Sequence, residues 1–124
     1  MFDNPLLDRL AGEDGPTSPP PVWTDHPKFA GVRMRRLVSG AETAGRFTTL
    51  LVSIAPNSRM LAHRHAAEVE QHVALSGDGR LELDGRRYNY QPGRLVVIPQ
   101  NAEHSVTAGA SGMVILALFS PALP

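Results

Sequence analysis

The sequence contains no cysteine, which excludes disulfide bonds, thiolate metal ligands and a cysteine nucleophile. Its twelve basic and twelve acidic residues cancel, and no basic stripe with interleaved aromatic residues is present. Binding to nucleic acid is therefore not expected. The longest apolar run, 113–119, is far shorter than the roughly 20 residues that span a bilayer, so a membrane partner is not expected either.

Signatures of several other functions are also missing. The chain has no GxSxG elbow, glycine-rich phosphate loop, zinc-finger spacing or HExxH motif. Its first residues, Met-Phe-Asp-Asn-Pro, lack the charged region and apolar run of a signal peptide, so a cytoplasmic location is the expectation. A chain of 124 residues with 42% hydrophobic and 19% charged residues is sized for one packed domain.

From residue 32 onward, short strand patterns alternate with turn residues. The dipeptide Asp84-Gly85 predicts a tight hairpin because both central residues of a type I′ turn need a positive φ. A further turn is predicted at 77–79, and no stretch in this part has a convincing helical period. The pattern predicts an all-β, double-stranded β-helix (jelly roll). The predicted strands are 32–38, 47–55, 61–65, 69–75, 80–83, 86–90, 95–98, 103–108 and 112–119.

The first 22 residues have a different composition. Asn4 can cap a short helix with Pro5 at its first position, and a proline-rich extended connector follows at 15–21. We therefore predict an N-terminal arm, 1–22, and a single β-barrel domain, 23–124. The leucines of the arm need a partner surface, and the apolar outer faces of the sheets need covering. Both requirements predict a homodimer.

Three histidines and a carboxylate have spacings that could close one metal site. In an extended strand His63 and His65 point to the same side, because alternate residues share a face. If 69–76 forms the next strand, Glu70 can face the same interior, and His104 arrives from a separate strand. Imidazole nitrogen and carboxylate oxygen suit first-row divalent metals at roughly 2.0 to 2.2 Å. These residues are the predicted metal ligands.

The same residues carry a resemblance to the cupin family. The first cupin motif is a glycine, five residues, HxH, three or four residues, Glu, six residues and Gly. Here it is matched by His63, His65, Glu70 and Gly77, with Asn57 in place of the first glycine. Asparagine tolerates the left-handed turn conformation that glycine usually supplies. The departure is therefore mild.

The second cupin motif is matched in part. The chain matches this motif at Gly93, Pro99 and His104. Asn101 replaces the second glycine of the motif, and Ala108 replaces its last asparagine. Neither change affects a ligand position. Two linked motifs with all four ligand positions filled are far more specific than a single HxH.

The resemblance implies a cupin barrel that holds one divalent transition metal ion, which could be iron, manganese, nickel, copper, cobalt or zinc. It predicts a small metalloenzyme that acts on a small polar metabolite, with dioxygenase chemistry ahead of isomerase, lyase or decarboxylase chemistry. The alternative is a non-catalytic cupin that binds or senses a small ligand, similar to the sensory half of arabinose-type transcription regulators. The fold alone does not decide between them.

Two residues near the motif leave alternatives open. Glu68 competes with Glu70 for the carboxylate position, and the six-residue count to Gly77 favours Glu70. His72 should point into the same interior as Glu70. It is the candidate catalytic acid or base, and the sequence supports equally the alternative of a histidine satisfied by a hydrogen bond in the lumen.

The remaining candidates are polar side chains on neighbouring strands. Arg33 and Arg35 share one face, and they either bind a substrate carboxylate inside the barrel or lie outside, the second being favoured. Tyr88 and Tyr90 also share a face, and their orientation is open. His26 is predicted to be exposed.

Overall fold

The computed structural model describes residues 22–124. The helix and connector predicted for the arm lie outside the described residues, and the division of the chain at residue 22 stays a prediction. Within the described residues the one helix is a short 3₁₀ helix, Gly40–Thr43, and no helix is long and apolar enough to cross a membrane. The strands are β1 Trp23–Asp25, β2 Val32–Val38, β3 Thr48–Ile54, β4 Arg59–His63, β5 Val69–Leu83, β6 Arg86–Tyr90, β7 Leu95–Ile98 and β8 His104–Ser120.

Two long strands organise the barrel. β5 and β8 pair antiparallel along their whole length, from Val69 opposite Ser120 to Leu83 opposite His104. One half of this ribbon is extended by β3, β2 and β1 on one side and by β7 on the other. The other half is extended by β4 and β6. The result is the all-β jelly roll that the sequence predicted.

The predicted separation of 69–75 from 80–83, and of 103–108 from 112–119, was wrong, because each pair is one continuous strand. Gly77 and Gly112 lie next to each other with φ near +72°. A side chain on Gly77 would overlap the carbonyl oxygen of Gly112. The register of β5 against β8 also shifts around Gly77. These glycines therefore mark bulges that bend the strands, and not turns that end them.

The predicted hairpin agrees with the structure, and so do the two asparagines at glycine positions of the motifs. Asp84 and Gly85 both have positive φ, 47° and 81°, and join β5 to β6 as a tight hairpin. Asn57 and Asn101 have φ values of 60° and 62°. Each asparagine therefore adopts the left-handed conformation that glycine supplies in the cupin motifs.

The inner faces of the sheets form the core. Val32 and Met34 of β2 lie opposite Ile54 and Val52 of β3, and all four belong to the core or pack against it. Arg33 alternates with them and lies on the outside, where it forms a 3.7 Å ion pair with Asp25. Arg35 shares that outer face by the same alternation. This is the placement that the sequence favoured for both arginines.

Candidate metal centre

Two strand ends bring the histidines of the motifs together. His63 ends β4, His65 follows it, and His104 begins β8 directly opposite His63. One ring nitrogen from each histidine lies within 4.8 Å of the others. The ring centroids of His63 and His104 are 4.3 Å apart, and those of His63 and His65 are 5.1 Å apart. Imidazoles this close, with nitrogens converging, can share one cation.

Glu70 faces the same point from the second position of β5. Its side chain is buried, and its Oε1 atom lies 3.3 Å from Nε2 of His104 and 3.5 Å from Nε2 of His65. Oε1 of Glu70 and Nε2 of His104 are both buried, and although they lie 3.3 Å apart, no hydrogen bond of acceptable geometry joins either of them to any described residue. Buried polar atoms without partners are costly. A cation between them would satisfy both, so the donor set fits a metal.

Backbone carbonyls orient two of the rings. Nδ1 of His63 lies 2.7 Å from the carbonyl oxygen of Leu61, and Nδ1 of His104 lies 3.0 Å from that of Ala102. Since a carbonyl only accepts, we assign the ring proton to Nδ1 in both histidines. The lone pair of each Nε2 atom is then available to a metal.

The neighbours of His65 bear on the choice between the two glutamates. Glu68 lies 4.0 Å from Nδ1 of His65, whereas Glu70 lies near its Nε2 atom. Glu70 also lies near Nε2 of His104. The two glutamates therefore flank different nitrogens of His65, and Glu70 is the one directed at the cluster.

The charges of the cluster follow from burial and mutual contact. Burial alone raises the pKa of Glu70, but His72 and His104 beside it favour the carboxylate, and the pKa lies well below its usual range. Burial lowers the pKa of His63. Burial also acts to lower the pKa of His104, but the Glu70 carboxylate raises it, and the net direction is upward. The site thus holds an ionised carboxylate among imidazoles.

His72 faces the interior, as predicted, and is fully enclosed. Its Nδ1 atom lies 2.7 Å from the hydroxyl of Tyr90, and its Nε2 atom lies 2.5 Å from Oε2 of Glu70. Both ring nitrogens are occupied, and His72 does not line the cavity in front of the cluster. No pattern in the sequence identified Tyr90 as its partner. Burial, followed by the charge of Glu70, raises the pKa of Tyr90, so its hydroxyl stays protonated.

A cavity of about 520 Å³ lies in front of the cluster and is lined by His63, His65 and Glu70. This volume suits a small organic molecule. Most of its wall is apolar, and its basic residues are Lys28, Arg36 and Arg64. The apolar side chains include Phe29, Met34, Leu50, Val52, Met60 and Phe119.

The prediction that His26 is exposed was wrong, because its ring is half-buried and lines this cavity. It stacks on Phe29 with centroids 4.5 Å apart, and Phe29 lies 5.3 Å from the ring of His63. Nδ1 of His26 accepts the backbone N–H groups of Lys28 and Phe29. Burial, followed by Lys28 and His65, lowers its pKa, which favours the neutral ring. The strand before it, β1, was also not predicted from the sequence.

A bent antiparallel barrel with histidines and a carboxylate gathered on its inner face is the architecture of a cupin. Residues 50–119 match the family model described as "Cupin domain". The chain therefore belongs to the cupin family.

Two curated proteins are similar to the chain over most of its length. Dimethylsulfoniopropionate lyase DddW of Ruegeria pomeroyi is 33% identical over 88 residues, which are 70% of this chain and 57% of that protein. L-ectoine synthase of Vibrio cholerae is 32% identical over 78 residues, or 62% of this chain and 56% of that protein. The chain thus spans little more than half the length of these relatives.

A solved structure supports the fold. KdgF from Halomonas sp. superposes with a TM-score of 0.73 at 20% identity, covering 82% of this chain and 87% of that one. At this level of identity the likeness concerns the fold alone.

Proposed function

We propose that this cupin is a metal-dependent enzyme. In this proposal His63, His65, Glu70 and His104 hold one divalent transition metal ion, and a small polar metabolite binds in the cavity before them. The observation that carries the proposal is the pair of buried, partnerless atoms, Glu70 Oε1 and His104 Nε2, beside converging imidazole nitrogens. Such an ion supplies a Lewis acid for a substrate oxygen or a centre that activates dioxygen.

The names of the relatives bear on the type of reaction. One is named a lyase and the other a synthase, and each is at least 32% identical to this chain over the matched part. The first name favours lyase chemistry, and neither name indicates the dioxygenase chemistry that the sequence placed first. The proposed substrate remains a small polar molecule.

The protein's own groups have distinct proposed roles. The placement of His72, enclosed between Tyr90 and Glu70, supports a positioning role for it in place of the catalytic acid or base that the sequence predicted. His26 lines the cavity, and its Nδ1 atom is already an acceptor, so its Nε2–H group can donate a hydrogen bond to the substrate. In this proposal the apolar side chains of the cavity wall exclude water from the part of the substrate next to the metal.

We also propose that the protein acts as a homodimer. Val69, Leu95 and Val97 are 42%, 52% and 51% exposed. They lie on the adjacent strands β5 and β7, where Leu95 pairs with Val73 and Val97 with Gln71, on the side opposite the buried Glu70 and His72. An exposed apolar patch on a sheet face is typical of a subunit contact.

The enzyme proposal is tested by metal analysis followed by turnover. Protein purified without chelator or affinity tag is analysed for its metal content. It is then incubated with dimethylsulfoniopropionate and other small polar acids, and products are followed by NMR. Oxygen consumption is measured in parallel, and protein stripped by a chelator is the control. Metal-dependent product supports the proposal, stoichiometric binding without product indicates a binding module, and protein that takes up no metal overturns it.

A further inference from the structure

The cavity before the proposed metal site carries an excess of positive side chains. Lys28, Arg36 and Arg64 line it, and Glu70 is the one acidic residue among the described residues of its lining. Arg64 has a counter-ion, because its guanidinium lies 3.4 Å from the carboxylate of Glu103. The positive charges of Lys28 and Arg36 are not balanced in this way within residues 22–124.

Strand pairing places Arg36 on the inner face of the barrel. His72 pairs with Ala117, Ala117 with Leu50, and Leu50 with Arg36. Directly opposite residues share a face, and the first three members of this row are buried in the interior. Arg36 is therefore the fourth member of an inward row, three strand spacings from His72, or about 14 Å along the sheet. Its exposed guanidinium lies at the cavity edge, away from the histidine cluster.

Arg36 differs from Arg33 of the same strand. Arg33 lies outside, with Asp25 as an ion-pair partner and Trp23 beneath its guanidinium. Arg36 makes no hydrogen bond or ion pair with any residue in the described part of the chain. A guanidinium presents a planar fork of donors that matches a carboxylate. Next to an apolar wall, this fork suits the charged end of an otherwise apolar acid.

We propose that Arg36 is a specificity-determining residue that binds the carboxylate of a small carboxylic acid substrate. The apolar part of the acid packs on Met34, Leu50 and Val52, and its other polar end reaches the histidine cluster. The contact of the polar end with the histidine cluster rests on the proposed function. The contact of the carboxylate with Arg36 depends only on Arg36 and the cavity wall. The substrate class is therefore a short acid with a polar group at the end remote from its carboxylate.

The test compares an acid with its uncharged counterpart. Dissociation constants of hexanoate and hexanamide are measured by calorimetry for the wild type, Arg36→Gln and Arg33→Gln, each with metal and after chelation. We expect hexanoate to bind about tenfold more weakly to Arg36→Gln in both metal states, as when a charge-assisted hydrogen bond is lost. Hexanamide binding should be the same in all three proteins, and Arg33→Gln should match the wild type.

The possible outcomes separate this inference from the enzyme proposal. Equal hexanoate binding to wild type and Arg36→Gln, or no binding to either, overturns the role of Arg36. An equal loss for hexanamide also overturns it, because the effect would then come from packing. A charge-specific loss in a protein that takes up no metal supports the carboxylate site while the enzyme proposal fails. Thermal melting followed by circular dichroism checks that the exposed Arg36→Gln change leaves the fold intact.

Discussion

Nε2 of His72 lies 2.5 Å from Oε2 of Glu70, and this contact makes the two oxygens of the carboxylate different. Oε2 is held by His72, which is held in turn by the hydroxyl of Tyr90. Oε1 is left facing His65 and His104. The hydrogen bonds that link Tyr90, His72 and Glu70 therefore fix the rotation of the carboxylate before any ion binds. Groups that orient ligands in this way commonly tune metal affinity.

Tyr90→Phe should weaken metal binding although the hydroxyl does not reach the cluster. The change removes the partner of Nδ1 of His72 and loosens the ring that holds Glu70. We expect metal affinity to fall about tenfold, measured by competition with a chromophoric chelator. Tyr88→Phe is the control, because the hydroxyl of Tyr88 makes no hydrogen bond with the described residues. Equal affinities of the two variants would contradict the positioning role.

His104→Ala should remove most of the metal while the barrel remains folded. His104 supplies a buried nitrogen without a partner, so its loss removes a proposed ligand and one side of the cluster. We expect metal content after chelator-free purification to fall about tenfold or more. His26→Ala changes a histidine that lines the cavity but is not a proposed ligand, and it should keep its full metal content. A normal metal content in His104→Ala would rule out the proposed ligand set.

The shared faces of three ligand candidates could be predicted because they depend on local counting, whereas His104 comes from a separate strand. The alternation of a strand puts His63 with His65 and Glu70 with His72, whatever the neighbouring strands are. The contact between His72 and Tyr90 depends instead on the pairing of separate strands, which spacing does not define. Sequence analysis could therefore place His72 in the interior but could not choose between its two roles.

The inward position of Arg36 was not predicted from the sequence, for a related reason. The alternation of β2 is visible in Arg33 and Arg35, but which face is inner depends on how Val32 and Met34 pack against β3. The pairing of β2 with β3 also slips just after Arg36. The fold class was predictable from the short strands, whereas the continuity of β5 was not, because glycines can mark a turn or a bulge equally well.

Gly77→Ala should destabilise the barrel much more than Gly85→Ala. Both glycines have positive φ, but a methyl group on Gly77 would overlap Gly112, while Gly85 has open space around it. We expect a loss of about 3 kcal/mol or more at Gly77 and about 1 kcal/mol at Gly85. Urea unfolding of metal-free protein measures both values. Similar losses would mean that the paired strands β5 and β8 can relax around an added methyl group.

The ionised Glu70 should make metal-free protein sensitive to acid. Its pKa in the folded protein lies below the usual value of 4.5, so its stabilising effect is complete above that pH and declines as the pH falls toward the folded pKa. Glu70→Gln lacks this proton-binding group. The difference in unfolding free energy between wild type and variant should therefore shrink from about pH 6 to about pH 3. Urea titrations with a chelator present measure it, and a constant difference would contradict the shifted pKa.

Val97→Lys should turn the proposed dimer into a monomer. Val97 lies beside Leu95 in the exposed patch of β7, and a lysine there would bring a charge into a buried subunit contact. Leu61→Lys is the matched control, because Leu61 is 52% exposed on β4, in the other half of the barrel. Light scattering at micromolar concentration should give a dimer for the wild type and Leu61→Lys and a monomer for Val97→Lys. A wild type that is already a monomer refutes the dimer, and a dimer lost only in Leu61→Lys would place the contact on the other sheet.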